Sequence, residues 1–290
     1  PAQTLEDNQL RLNQSGQRRA ANRDRALLED TDTLTVDGHD YSVAHTVSEM
    51  GQAIYIALGR QQWPDVQRFL QNYASMAGAD PMLLHYARGG LARHQGQLRQ
   101  AEREYRALLA LQPDFLPGQL ELARVLFENQ QDQAATRQFR QIAAGLGQEA
   151  RAEGIRHTVQ LFLQALRRRS SWQGSVAFGP GYNDNINQAQ ASQTCLWIDS
   201  SGQCLLRRRM PAAIATPGVD IEASLFRQQP LSGQHNLYIR ILLLGSVYPG
   251  PTRYNQLNSI NQLGYLHRSA RDTWMLAPSF DAGSYGSGLL

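Results

Sequence analysis

The sequence predicts an α + β multidomain chain: an N-terminal α-solenoid of helical hairpins, followed by antiparallel strands of an incomplete transmembrane β-barrel. Three observations lead there. A set of small, aromatic and turn residues recurs at a 34-residue spacing, Gly89, Ala101, Tyr105, Leu108 and Pro113 being answered by Ala123, Ala135, Phe139, Ile142 and Gly147. Composition changes near Arg169, from Ala, Leu, Gln, Arg and Glu, which suit helices, to Gly, Ser, Asn, Tyr and Pro with short apolar alternations. Across the same point the hydrophobic period falls from 3.6 to 2. The expected domains are a polar N-terminal segment with a β-hairpin (1–45), a helical domain (46–169) and the first part of a barrel (170–290).

The 34-residue set is the tetratricopeptide (TPR) pattern. Small residues stand where two helices approach closely, an aromatic where the second helix plugs its neighbour, and Pro or Gly where the hairpin stops. The early aromatic of the pattern is replaced by His85 in one repeat and Gln119 in the next. An ordinary pair of amphipathic helices is the plainer reading. TPR arrays bind polypeptides and do no chemistry of their own.

Composition narrows the function further. A net charge of +3 on 290 residues makes no case for nucleic acid, and all 28 basic residues are Arg, a bias that fits a GC-rich genome better than a function. No apolar run reaches the ~20 residues of a membrane-spanning helix. The chain begins at Pro1 without Met or a signal peptide, and a targeting segment removed before it is the expectation.

In chain order, residues 1–30 are polar, with a weak helix expected around Ala20 to Leu28. Leu34 to Val43 reads as a small β-hairpin turning at Asp37-Gly38, because Gly supplies positive φ at low cost, and it caps the helices. Met50, Ile54, Ala57 and Leu58 form one helical stripe; Val66, Phe69, Leu70 and Tyr73 form the next, after Trp63-Pro64. Asp80 is placed as N-cap and Pro81 as first helical residue. A last helix, Gln148 to Arg168, carries Ile155, Val159, Phe162, Leu163 and Leu166 on one face. It ends in Arg167-Arg168-Arg169, either a solvated helix end suited to the dipole or a basic collar at lipid headgroups.

Strands follow. Trp172, Gly174, Val176 and Phe178 alternate with polar or small neighbours, as do Val219, Ile221, Ala223 and Leu225, then Leu237, Ile239, Ile241 and Leu243. Tyr254 to His267 and Asp272 to Tyr285 alternate more weakly, with turns at Pro230–Gly233, Pro249–Pro251 and His267–Asp272. A soluble β-sandwich would alternate too. The opposite face favours the barrel: Asp220, Glu222 and Arg240 point away from the apolar side and would line a polar lumen. An open sheet cannot sit in lipid with unpaired edge amides, so more than these five or so strands are required. The sequence stops at Leu289-Leu290 without a terminal aromatic strand, and it is expected to be the front part of a longer protein.

Several stretches together resemble one family. Leu34-Thr-Val-Asp-Gly-His-Asp-Tyr-Ser-Val43 precedes Leu83-Leu-His-Tyr-Ala-Arg-Gly-Gly-Leu-Ala-Arg93, Ala107-Leu-Leu-Ala-Leu-Gln-Pro-Asp114 and Leu120-Glu-Leu-Ala-Arg-Val-Leu-Phe-Glu128. Trp172 then marks the boundary, and Gly181-Tyr-Asn-Asp-Asn-Ile-Asn187 follows. This order resembles the surface lipoprotein assembly modulators, called Slam, over Leu34 to Asn187. The resemblance implies an outer-membrane protein of Gram-negative bacteria, with a periplasmic TPR domain and a C-terminal barrel. It implies export of particular lipoproteins or related secreted proteins, including those that capture host iron and haem, and no bond chemistry.

On that reading the TPR groove offers Tyr86, Arg93 and Arg124 to a client or a periplasmic chaperone. Asn183, Asp184, Asn185 and Asn187, with Asp220, Glu222 and Arg240, mark the client's path through the lumen. For the asparagine run, an exposed strand end built of turn formers is the plainer reading. Outer-membrane lipid and barrel-assembly machinery complete the expected partners. In an oxidising periplasm, Cys195 and Cys204 are expected to form a disulfide, with free thiols as the alternative. The seven His are scattered without metal-ligand spacing. Gly283 to Gly288 lacks the strand-to-helix context of a nucleophile elbow. No catalytic residue, metal or cofactor is expected. Two other readings are a polysaccharide-export porin, which also joins TPR repeats to a barrel, and a soluble TPR scaffold with a β-domain.

Overall fold

Asp37 and Gly38 both adopt positive φ, 53° and 81°, and turn the chain from β1 (Thr33–Val36) into β2 (His39–Ser42). These are the first described residues of a computed structural model that describes residues 33–147, 152–286 and 288–289. The weak helix expected at Ala20 to Leu28 and the expected helix start at Gln148 lie outside them. The chain forms two compact units that divide between Val159 and Gln160.

In the first unit, Leu34 and Val43 bury against Met50, Ile54, Val66 and Phe69, so the hairpin covers one end of the helical core. Arg60 reaches Asp37 through two hydrogen bonds, at 2.5 and 2.9 Å, and Gln62 Nε2 donates to the Thr35 carbonyl at 2.8 Å. Three helical hairpins follow: α1 (Val47–Gly59) with α2 (Trp63–Ala74), α3 (Pro81–His94) with α4 (Leu98–Leu111), and α5 (Leu116–Glu128) with α6 (Asp132–Gly145). Thr46 caps α1 and Asp80 caps α3, accepting from Met82 N at 2.8 Å. The small-against-aromatic pairing of the repeats is direct. A methyl on Gly89 would lie 2.8 Å from the Tyr105 ring, and in the next hairpin Ala123 and Phe139 are both fully buried. Each hairpin turns through one left-handed residue: Gln61, Gly96 and Gln130, with φ of 56°, 72° and 59°.

The helix α7 (Glu153–Ser170) runs two residues past its expected end, Ser170 Oγ bonding back to the Leu166 and Arg167 carbonyls. Among the described residues no helix is long and apolar enough to cross a membrane.

The second unit is a sheet of order β11-β10-β8-β7-β6-β3, all neighbours antiparallel: β3 (Gln173–Asn183), β6 (Thr216–Pro230), β7 (His235–Val247), β8 (Gln256–Arg268), β10 (Ser279–Tyr285) and β11 (Gly288–Leu289). It is not closed into a barrel; β3 has no partner on its outer edge among the described strands. The expected strand Asp272–Tyr285 is two strands, β9 (Thr273–Leu276) and β10, both on β8 and parted at Ala277-Pro278. Proline has no N–H for the ladder, which breaks there. The expected start of β8 at Tyr254 belongs instead to a 3₁₀ turn, Thr252–Tyr254. One hairpin was not foreseen: β4 (Ser192–Ile198) with β5 (Cys204–Met210), inside the connection from β3 to β6.

Candidate functional site

Two surfaces gather the residues singled out in the sequence. The first is a cleft of about 560 Å³ on the helical unit, lined mainly from α1, α3 and α5, the first helices of the three hairpins, with the start of α2 and Tyr105 of α4. Tyr86, Arg93 and Arg124 all line it. Register explains the grouping: α1 touches α3, and α3 touches α5, because equivalent helices stack when hairpins repeat.

The floor of the cleft is an alternating chain of charges. Arg93 Nε donates to both Glu128 oxygens (3.0 and 3.1 Å), Arg93 Nη2 to Glu128 Oε1 (2.6 Å), and Arg93 Nη1 to Glu121 Oε2 (2.9 Å). Arg124 Nη1 then donates to Glu121 Oε1 at 2.6 Å. Arg93 therefore spends its guanidinium on its own helices, whereas Arg124 is tied through one nitrogen. Two cations against two carboxylates leave the floor near neutrality.

The walls are aromatic. Tyr86 meets Tyr105 and Phe115 edge-on, with centroids 6.1 and 5.8 Å away, and Trp63 stacks on His94 at 4.7 Å. Burial, with Glu121 nearby, pushes the Tyr86 and Tyr105 phenols above their usual range, so both stay neutral donors. Tyr55 stands 71 % exposed at the rim and also lines a smaller apolar cleft with Tyr86, Leu83 and Phe115. Sequence reasoning missed Tyr55, Glu121 and Glu128. The available signal for Tyr55 was an aromatic one position off the Met50–Ile54–Ala57 stripe, hence outside the core.

The second surface is one face of the sheet. The β6–β7 register pairs Asp220 with Ser246, Glu222 with Leu244 and Phe226 with Arg240, and paired residues share a face. Asp220, Glu222 and Arg240 thus lie on the same side, joined from β8 by Gln256, Asn258 and Gln262. Asp220 accepts from Ser246 Oγ at 2.6 Å and fills the space over Gly181, where a methyl would meet its Oδ2 at 2.2 Å. Arg240 stands four strand residues from Glu222's register, roughly 13 Å along the strand, and does not pair with it. Leu242, Leu244 and Ile260 interrupt this polar face.

The opposite face carries Val176, Phe178, Tyr182, Val219, Ile221, Leu225, Leu237, Ile239, Ile241, Leu243, Leu263 and Phe280. Phe178 is 80 % exposed and Phe280 62 %. On β7 this apolar run extends from Leu237 to Val247, about 33 Å along the strand. At a tilt of ~45° that is ~23 Å of height, close to the ~25 Å apolar band typical of membrane-spanning barrels. Towards the end where α7 leads in, Tyr265, His235, His267 and Trp274 cluster, and separately Arg227 lies over the Trp172 ring at 5.9 Å.

The asparagine run divides. Asn183 is on the face of Asp220 and donates to the Tyr248 hydroxyl at 3.3 Å. Beyond the strand, Asn185 Oδ1 accepts from Ala189 N, and Asn187 holds Ala212 and Ile214, while Asp184 is exposed. Cys195 and Cys204 form a disulfide. Among the described residues no group of three or more His, Cys, Asp or Glu could hold a metal ion.

The family described as "Surface lipoprotein assembly modifier, N-terminal TPR repeats" matches residues 38–139, and that described as "Surface lipoprotein assembly modifier" matches residues 172–288. The chain is 34 % identical to a hemophilin secretion modulator of Acinetobacter baumannii, over 97 % of this chain and 60 % of that protein. It is 33 % identical to surface lipoprotein assembly modifier 1 of Neisseria meningitidis serogroup B, over 88 % of this chain and 49 % of that one. The chain spans about half the length of the curated relatives it matches. No solved structure is a significant match.

Proposed function

The chain belongs to the surface lipoprotein assembly modifier family, and from that premise we propose that it is the partner-receiving and first membrane-spanning part of an outer-membrane export factor. The helical unit receives an exported polypeptide in the Tyr55–Tyr86–Arg124 cleft, and the strands β3 and β6 to β10 form part of the barrel wall. By the relatives' names, the client is a hemophilin-type secreted protein or a surface lipoprotein. The role is one of binding and passage, with no bond made or broken.

The observation that carries the reading is the two-faced sheet. A soluble sheet buries its apolar face, yet here Val176, Phe178, Val219, Leu263 and Phe280 on that face stand exposed, and its band approaches the ~25 Å of an outer-membrane barrel. Loop lengths support a direction. Turns 231–234 and 269–272 lie at the end where α7 leads in, and the longer connections 184–215 and 248–255 lie at the other. Outer-membrane barrels have short periplasmic turns and long outer loops, so the helical unit is periplasmic on this reading.

The test is export in cells. With the barrel present at unchanged level, Tyr86→Ala and Arg124→Glu should each lower surface display of the cognate client several-fold, read by protease accessibility on intact cells. Export unaffected by both changes would overturn the role of the cleft.

A further inference from the structure

The connection from β3 to β6 holds a feature that export does not explain. Its β4–β5 hairpin is cross-linked by Cys195–Cys204, with Cα atoms 5.8 Å apart. Its base is fastened by Asn187, whose Nδ2 donates to the Ala212 carbonyl (2.8 Å) and whose Oδ1 accepts from Ile214 N (2.9 Å). Between these fastenings Leu196, Trp197, Ile198, Leu205 and Leu206 are each more than half exposed, Trp197 at 65 %. A cross-linked hairpin that offers water this much apolar surface has an unmet partner.

Charge says which kind. Arg207, Arg208 and Arg209 are consecutive and exposed on β5, so both faces of the hairpin carry cations. None of them forms an ion pair among the described residues. The only acid between Ser192 and Met210 is Asp199, and it is spent on the turn, accepting from Ser201 N, Ser201 Oγ and Gln203 N at 2.7 to 2.9 Å. Trp and Leu beside unpaired arginines is the composition of a segment lying in a headgroup layer, where the rings enter the acyl boundary and the cations meet phosphate. The hairpin also continues from the apolar sheet face, which ends at the exposed Tyr182 ten residues before Ser192 of β4.

We propose that the β4–β5 hairpin lies in the membrane surface at the end of the sheet remote from α7, with Trp197 at the acyl boundary and Arg207–Arg209 on lipid phosphates. This rests on the reading of the sheet as membrane-spanning.

The test uses the full-length protein in vesicles of phosphatidylcholine alone, or mixed with anionic phosphatidylglycerol, each with brominated acyl chains that quench tryptophan. Trp197 is read as the difference between the parent and Trp197→Phe, and Trp274 likewise with Trp274→Phe. Trp274 should be quenched in both vesicles. Trp197 should be quenched at least two-fold more in the anionic ones, and that excess should vanish with Arg207→Gln/Arg208→Gln/Arg209→Gln while Trp274 quenching stays. Trp274 quenched with Trp197 indifferent to lipid charge would overturn the hairpin's role and leave the spanning sheet intact. Neither being quenched would overturn both. Protection of Trp197 only when the exported client is added would overturn it in favour of a protein-docking finger.

Discussion

Gly89 shows what a single side chain decides in this fold. Tyr105 fills the space that a β-carbon on residue 89 would need, and the approach of 2.8 Å is to ring atoms that cannot swing aside. Gly89→Ala should therefore destabilise the helical unit by about 1–3 kcal/mol, read by denaturant unfolding. This pair was legible because size and spacing carry it: a small residue and an aromatic, repeated at 34. Arg93 was legible only in part. Its place on the cleft followed from the repeat, but its expenditure on Glu121 and Glu128 did not, since partners 28 and 35 residues away are set by how the hairpins stack. The two arginines should thus separate experimentally. Arg93→Ala should cost stability, about 1 kcal/mol given its half-exposed setting, whereas Arg124→Ala should leave the unfolding midpoint nearly unmoved and weaken client binding.

Among elements, the hairpin turns hold strain that the alternation of apolar residues could not reveal. Gln61 and Gln130 occupy the left-handed conformation that Gly96 occupies without a β-carbon. Gln130→Gly should raise stability by about 0.5–1 kcal/mol, and a thermal scan would detect it. The β1–β2 hairpin was legible from Asp37-Gly38 alone, but its docking was not. Arg60 beside Asp37 holds that carboxyl below its ordinary range. A depressed folded pKa contributes stability above the unfolded value and loses it as pH falls through the folded one. The protection of the Leu34 and Val36 amides, measured relative to their intrinsic exchange rates, should accordingly fall below about pH 4 and hold steady from pH 5 upward. The β4–β5 hairpin escaped notice for a different reason. It buries neither face, so no alternation betrays it, and Leu205-Leu206 beside three arginines reads as noise.

For the whole molecule, the strands with the cleanest alternation were placed well, and the weaker ones were blurred by particular residues. Asn261 and Ser259 sit on the apolar face of β8 and satisfy one another at 2.9 Å, while Leu242 and Ile260 sit on the polar side. Pro278 then cut one expected strand in two. The chain as a whole should fractionate with detergent micelles: sedimentation in plain buffer should give aggregates, and a monodisperse species there would contradict the exposed apolar band.

The bare margin of β3 has a kinetic meaning. Each amide along it that faces hydrocarbon without a partner is penalised by several kcal/mol, and an eleven-residue strand offers a row of them. On the proposed spanning role, a bilayer rejects this sheet until another strand zips onto that margin, so threading into lipid and sealing of the wall would be one concerted step. Arrest of that step should yield chains bound at the water boundary, fully sensitive to carbonate extraction, with no half-embedded form between.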